Sequence, residues 1–182
     1  MQVFTYDRNA AVEYAHRWAY GRNPAYLDFS NIGGDCTNFA SQCIYAGAKN
    51  MNFTPTFGWF YRTASDRTPS WTGVQYLYNF LTANRGEGPF ASETSIFRVK
   101  PGDVVQLLIE GEVYHHTPVI VDIRGKIPSL NNILIAAHSY DADYRPLASY
   151  RAKRMRFLHI EGVRRNGAMP LSNEPAEEDT RE

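Results

Sequence analysis

The chain has 182 residues, of which 43% are hydrophobic and 14% aromatic, and this composition favours a folded globule with a substantial core over a disordered chain. Nineteen basic residues balance nineteen acidic ones, so the net charge gives no reason to expect nucleic acid or an anionic membrane as a partner. No apolar run is long enough for membrane insertion, and Arg8, Glu13 and Arg17 interrupt any apolar stretch at the start. We therefore expect a soluble chain without a signal peptide, cytoplasmic as written, and a cell-envelope or secreted protein only if a leader has been removed.

The first half of the chain carries three helical patterns. Asp7 can cap a helix over about 8–20, and a second helix begins at Cys36 and ends near Gly47. A third helix is predicted over about 71–83, with its N-cap at position 70. The aromatic-rich segment between the second and third helices is irregular, and we favour core over the wall of a substrate groove for its side chains.

The second half of the chain changes to the shorter period of strands. Strands are predicted over 96–99, 104–109, 113–123, 132–138 and 155–163. Helices followed by a meander of strands predict an α+β domain in which the cysteine helix packs on an antiparallel sheet. We expect a single domain over 1–170 and a disordered acidic tail over 171–182.

Cys36 is a candidate nucleophile because it begins a predicted helix. One face of that helix carries the apolar positions Cys36, Phe39, Ala40, Cys43 and Gly47. The polar side chains point elsewhere: Thr37, Asn38, Ser41 and Gln42. Free amides and the helix dipole favour a thiolate at this position and could stabilise an oxyanion. The alternative is a structural cysteine buried in the core. A disulfide with Cys43 is excluded, because two helical turns separate the cysteines by about 10 Å.

A cysteine nucleophile needs a histidine base, and His115, His116 and His138 are the candidates. Strand alternation allows only one of the adjacent pair to face the cysteine helix, and the pattern alone does not choose between them. His138 ends the following strand, where an imidazole could orient the base and fix its tautomer.

Several segments together resemble a known family. The stretch from Gly33 to Gln42 (GGDCTNFASQ) resembles the signature of the bacterial putative amidase domain, a family similar to the NlpC and CHAP cysteine peptidases of the papain-like superfamily. Four further segments fit the same resemblance, which runs from about position 6 to about position 160: YDRNAAVEYA from Tyr6, SWTGV from Ser70, KPGDVV from Lys100 and HTPVIV from His116.

The resemblance implies a papain-like fold with Cys36 as nucleophile, His116 as general base and acid, and His138 as the orienting third residue. The doubled histidine leaves His115 as an alternative base, and Asp141 is the reserve for the third role. We expect the Cys36 sulfur to lie within hydrogen-bond range of a His116 ring nitrogen, or slightly beyond. The reaction implied is hydrolysis of amide bonds in peptidoglycan stem peptides, without cofactor or metal and with a peptide or peptidoglycan fragment as the bound partner.

Two other functions are considered. A metal-dependent hydrolase could use His115, His116 and His138 with Asp141 or Asp143, but the chain has neither a His-Glu-x-x-His motif nor closely spaced cysteines. A non-catalytic binding module on the same fold would be indicated by loss of the cysteine or the histidines, and none of them is lost.

Overall fold

The computed structural model describes residues 1–167, and this part of the chain is an α+β structure, as predicted. Its helices are α1 (Arg8–Trp18), α2 (Cys36–Ala48), α3 (Pro69–Thr72) and α4 (Val74–Ala83). Its strands are β1 (Gln2–Phe4), β2 (Gly88–Thr94), β3 (Val104–Leu108), β4 (Val119–Ile123), β5 (Ile133–Ala137), β6 (Ala142–Pro146) and β7 (Arg154–Arg165). Two 3-10 turns cover Ile96–Arg98 and Leu147–Tyr150. None of the helices described here has the length and apolarity to cross a bilayer. The acidic tail predicted over 171–182 lies outside the described residues.

The strands form one antiparallel sheet in the order β1-β7-β3-β4-β5-β6. The long strand β7 pairs with β3 through its first half and with β1 through its last residues, while β2 pairs along its opposite edge. Helices α1 and α2 pack on one face of the sheet. The 3-10 turn that ends at Tyr150 covers apolar side chains on the other face. Both faces of the central strands are therefore buried.

Two strand predictions need correction, and three strands were missed. The segment predicted as a strand over 96–99 is a 3-10 turn. Of the strand predicted over 113–123, only β4 (Val119–Ile123) is a regular strand. Pro118 has no N–H to donate to a neighbouring strand, and before it only an isolated bridge joins His116 to Leu107. Strands β1, β2 and β6 were not predicted, since glycines, prolines and short length gave their segments the pattern of loops.

Two helix predictions also need correction. The third helix is divided at Gly73, and its first part is capped at Thr68 rather than at Ser70. In α2 every residue except Tyr45 is buried, so the polar side chains do not point away from the protein interior. They are satisfied by buried hydrogen bonds instead: Thr37 with Thr117, Asn38 with Trp71, Ser41 with Trp59 and Gln42 with Tyr14. Helix α2 is thus the central element of the domain.

The aromatic-rich segment before α3 divides between core and surface. Trp59, Phe60 and Tyr61 are buried, as favoured by the sequence, whereas Phe53 and Phe57 are exposed. Both cysteines are free, which confirms the expected absence of a disulfide between them.

The Pro-Gly-Asp turn before β3 fixes α1 to the sheet. The fully buried Asp103 carboxylate pairs with Arg8 at 2.7 Å and accepts a hydrogen bond from His159 Nδ1 at 2.8 Å. It also accepts the backbone N–H groups of Lys100 and Ile160. Because a buried carboxylate is tolerated only when it is paired and hydrogen-bonded, this turn is structural.

Candidate active site

Cys36 is the first residue of α2. The two glycines before it have positive φ angles of 92° at Gly33 and 105° at Gly34, a region that glycine enters at no steric cost. Asp35 is the N-cap residue, yet its side chain makes no capping hydrogen bond. Its carboxylate accepts hydrogen bonds from the Phe29 backbone N–H and from the Asn38 side-chain Nδ2 instead. The amides of the first turn of α2 are therefore not capped by the Asp35 side chain.

His116 lies on the segment that precedes β4, and its side chain is only 6% exposed. A backbone hydrogen bond of 2.9 Å from the Leu107 N–H to the His116 carbonyl holds this segment against β3. The neighbouring His115 is exposed, and its carbonyl oxygen lies 3.8 Å from the Cys36 sulfur. Of the adjacent pair, the structure therefore buries His116 and leaves His115 at the surface.

Two threonines join the cysteine helix to the histidine segment. Thr37 Oγ1 and Thr117 Oγ1 are 3.2 Å apart and buried, and each residue directly follows one of the two candidate catalytic residues. Cys36 and His116 line the same cavity. The sulfur contacts Thr37 Oγ1 and the His115 carbonyl, and among residues 1–167 no hydrogen bond joins it to the His116 ring. The two side chains are thus brought to one cavity, and no direct hydrogen bond joins them among the described residues.

The two side chains have opposite pKa shifts. Burial raises the pKa of the Cys36 thiol, against the opposing effect of hydrogen bonds from the Thr117 backbone and from Thr37. Burial also lowers the pKa of His116 from 6.5 to about 4, with the neighbouring His115 and Arg145 acting in the same direction. This direction is opposite to the thiolate expected at the helix start, because burial disfavours the charged form of the sulfur. Near neutral pH the site holds a thiol and a neutral imidazole.

His138 does not contact His116. It is almost fully buried, its Nδ1 lies 2.5 Å from the Asp35 carboxylate and its Nε2 lies 2.8 Å from the Trp18 carbonyl. Its ring stacks on Phe39 with 4.0 Å between centroids. Since both ring nitrogens have other partners, the predicted contact that would orient the base is not formed. In this structure His138 holds Asp35, and through it the start of α2.

The two aspartates named with the histidines also lie apart from His116. Asp141 pairs with Arg22 at 2.9 Å, and Asp143 lies 2.9 Å from His16 Nδ1. Within the described part of the chain, no three His, Cys, Asp or Glu side chains are grouped so that they could hold a metal ion.

Tyr150 is the residue of this site that the sequence did not reveal. Its hydroxyl lies 3.5 Å from His116 Nε2, and the two ring centroids are 5.3 Å apart. It ends the 3-10 turn over Leu147–Tyr150, a segment with no helical or strand period of its own. No spacing pattern connects positions 116 and 150, so only the tertiary structure brings this hydroxyl to the base.

The cavity above Cys36 has a volume of about 460 Å³. Its lining combines the loop before α2, the segment before β4 and the region around β6: Gly33, Gly34, Cys36, Ile109, His115, His116, Ser139, Tyr140, Arg145, Ser149 and Tyr150. Ser139 and Tyr140 have positive φ angles of 61° and 73°, which are uncommon outside glycine and often occur at functional sites. The Ser139 hydroxyl accepts the Asp35 N–H at 3.2 Å, which ties this turn to the start of α2. A thiol at a helix start and a neutral imidazole in one cavity are a chemical set suited to acyl transfer.

Comparison with known proteins agrees with this chemistry at a general level. The chain is 32% identical over 169 residues to the uncharacterized protein YhbB of Bacillus subtilis (strain 168), an alignment that covers 87% of this chain and 51% of that protein. The chain therefore spans about half the length of this relative. No solved structure matches the chain. The model of a protein family described as the putative amidase domain matches residues 5–160. The chain belongs to the putative amidase domain family, whose name indicates hydrolysis of amides.

Proposed function

We propose that this protein is a cysteine amidohydrolase, with Cys36 as the nucleophile and His116 as the general base and acid. The observation that carries the proposal is the shared cavity, in which a buried imidazole and a thiol at a helix start are joined through the threonine that follows each of them. Catalytic hydrogen bonds often tighten only when substrate is bound, so the absence of a direct bond between them does not oppose these roles.

The chemistry begins from a neutral pair. His116 takes the Cys36 proton as the sulfur attacks the amide carbonyl, and the first-turn amides of α2 stabilise the resulting oxyanion. The protonated His116 then donates its proton to the leaving nitrogen, the C–N bond breaks and a thioester remains. Water, deprotonated by His116, hydrolyses the thioester and regenerates the thiol. His116 is unprotonated at pH 7, as a general base must be, because burial lowers its pKa to about 4.

Tyr150 takes the orienting role that the sequence assigned to His138. Its hydroxyl lies near His116 Nε2, and among residues 1–167 the other ring nitrogen, Nδ1, has no hydrogen-bond partner. Nδ1 is therefore the nitrogen available to accept the thiol proton. His138 supports the site indirectly, because it binds the aspartate that precedes the nucleophile.

We propose that the substrates are peptidoglycan stem peptides, in which the enzyme cleaves amide bonds. We also propose that the fold is papain-like. The family name supports amide hydrolysis, and the resemblance to the NlpC and CHAP peptidases extends it to cell-wall peptides. The antiparallel sheet with the cysteine helix packed on one face is compatible with that fold.

The test is digestion of purified muropeptides, followed by mass analysis, with the wild type and with Cys36→Ala and Cys36→Ser. We expect both variants to lose amide cleavage while their thermal transitions stay nearly unchanged. Cys43→Ala, which removes the other thiol in the same helix, is the matched control and should keep its activity per folded molecule. Activity that survives Cys36→Ala but disappears with a chelator would contradict the proposal and favour a metal-dependent hydrolase.

A further inference from the structure

The cavity above Cys36 carries an unbalanced positive charge. No aspartate or glutamate is among its lining residues, whereas the Arg145 guanidinium is. Within residues 1–167, no carboxylate oxygen lies within 4.0 Å of a side-chain nitrogen of Arg145, although six arginine–carboxylate pairs form elsewhere in this part of the chain. A guanidinium without an acidic partner at the wall of a cavity is suited to bind an anion, since it presents several N–H donors in a fixed plane.

Neighbouring side chains hold Arg145 in place. Its Nε donates a hydrogen bond of 2.7 Å to Ser149 Oγ, and its guanidinium lies over the Tyr150 ring at 4.1 Å from the centroid. Tyr150 is the residue whose hydroxyl approaches His116. The cation is therefore fixed relative to the proposed base by one shared aromatic ring, and the arginine residue as a whole is half-buried. Such pre-ordering reduces the entropy lost when an anion binds.

We propose that Arg145 forms a carboxylate-binding subsite, and that the substrate is a peptide with a free carboxylate near the scissile amide. This inference rests on the proposed function, because it places the carboxylate in the cavity where Cys36 attacks. A planar guanidinium pairs with a carboxylate through two parallel hydrogen bonds, so the subsite fixes the direction in which the peptide enters as well as its charge. Arg145 is thus a specificity-determining residue and takes no part in proton transfer.

The test compares thiol reagents that carry a carboxylate with neutral analogues of the same reactive group. Iodoacetate and iodoacetamide both form a bond from the Cys36 sulfur to carbon and release iodide, but only iodoacetate carries a carboxylate. Maleimidopropionate and N-ethylmaleimide, which add the thiol across their C=C bond, are a second pair of one anionic and one neutral reagent. In this pair the carboxylate lies farther from the reacting carbon. The rate of modification at Cys36 is followed by mass spectrometry, and the ratio of the anionic to the neutral reagent cancels any change in the reactivity of the thiol itself.

In Arg145→Gln we expect this ratio to fall about tenfold for at least one pair, as for loss of a charge-assisted hydrogen bond. Arg145→Lys keeps the charge but not the planar fork, and should lose less. Arg124→Gln removes an exposed arginine that does not line the cavity, and should leave both ratios unchanged. A ratio in Arg145→Gln equal to that of the wild type for both pairs would overturn the subsite, even with Cys36 reactive. Failure of all four reagents to label Cys36 would instead overturn the proposed function, and the inference with it.

Discussion

Burial of His116 makes the stability of the folded protein depend on pH. The folded state holds the pKa of this residue at about 4, against 6.5 for an ordinary histidine. Between these two pH values the unfolded chain binds a proton that the folded chain does not, so the free energy of unfolding decreases as the pH falls from 6.5 towards 4. At 1.36 kcal/mol for each pKa unit, the full loss is about 3 kcal/mol.

The assay is urea unfolding followed by tryptophan fluorescence at several pH values from 7 to 4.5, for the wild type and for His116→Gln. Other titrating groups are common to both proteins, so the difference between their unfolding free energies isolates residue 116. We expect the stability of the wild type relative to His116→Gln to decrease by about 2 kcal/mol over this range. His115→Gln changes the exposed neighbour and should retain most of the wild-type dependence.

A difference between the wild type and His116→Gln that stays constant from pH 7 to 4.5 would refute the argument. The imidazole would then be as easily protonated in the folded protein as in the unfolded chain. The inference that burial lowers the pKa of His116 in the folded protein would then be wrong.

Three further predictions concern the contacts that position the site. Asp103→Asn should lower the free energy of unfolding by about 3 kcal/mol, because it removes the buried carboxylate that pairs with Arg8 and His159. Gly47→Ala should cost about 2 kcal/mol or more, because an added Cβ would overlap the Asp7 carbonyl oxygen and the Tyr6 ring. Tyr150→Phe should lower kcat for amide cleavage about fivefold with little change in KM, because it removes only the hydroxyl near the base.

The first two of these variants have a matched control. Asp122→Asn breaks an exposed ion pair with Arg124 and should change the free energy of unfolding by less than about 0.5 kcal/mol. An equally small change in Asp103→Asn would contradict the structural role of the Pro-Gly-Asp turn. Gly21→Ala adds a methyl group that meets only the Trp18 ring, at an ordinary contact distance. A loss of stability as large as that of Gly47→Ala would contradict the close approach of Gly47 to Asp7 and Tyr6. For Tyr150, a rise in KM without a fall in kcat would contradict a positioning role.

Local patterns in the sequence were sufficient for much of the architecture. Helix α1 with its Asp7 cap follows from a periodic apolar face and a capping side chain, and the Asp7 carboxylate does accept the Ala10 N–H. The start of α2 at Cys36 and the buried strands β3, β5 and β7 follow in the same way from residue types at regular spacing. The order of helices and strands then implies an α+β fold with an antiparallel sheet.

Other features depend on partners that are distant in the chain. The polar side chains of α2 have the pattern of a solvated face, and they are buried because other elements supply their hydrogen bonds, such as Trp59 to Ser41. The strand β2 contains the glycine and proline of a loop, and it forms because the long edge of β7 is available to it. Neither partner can be read from local spacing.

The sequence by itself determined a cysteine at a helix start, a small set of histidines and the family resemblance that connects them. Only the tertiary structure decided that His116 rather than His115 is buried, that His138 binds Asp35, and that Tyr150 approaches the base. The physical reason is that a helix or strand period depends on neighbours within a few residues of the chain. Burial, pKa and hydrogen-bond partners depend instead on which distant segments the packed sheet brings together.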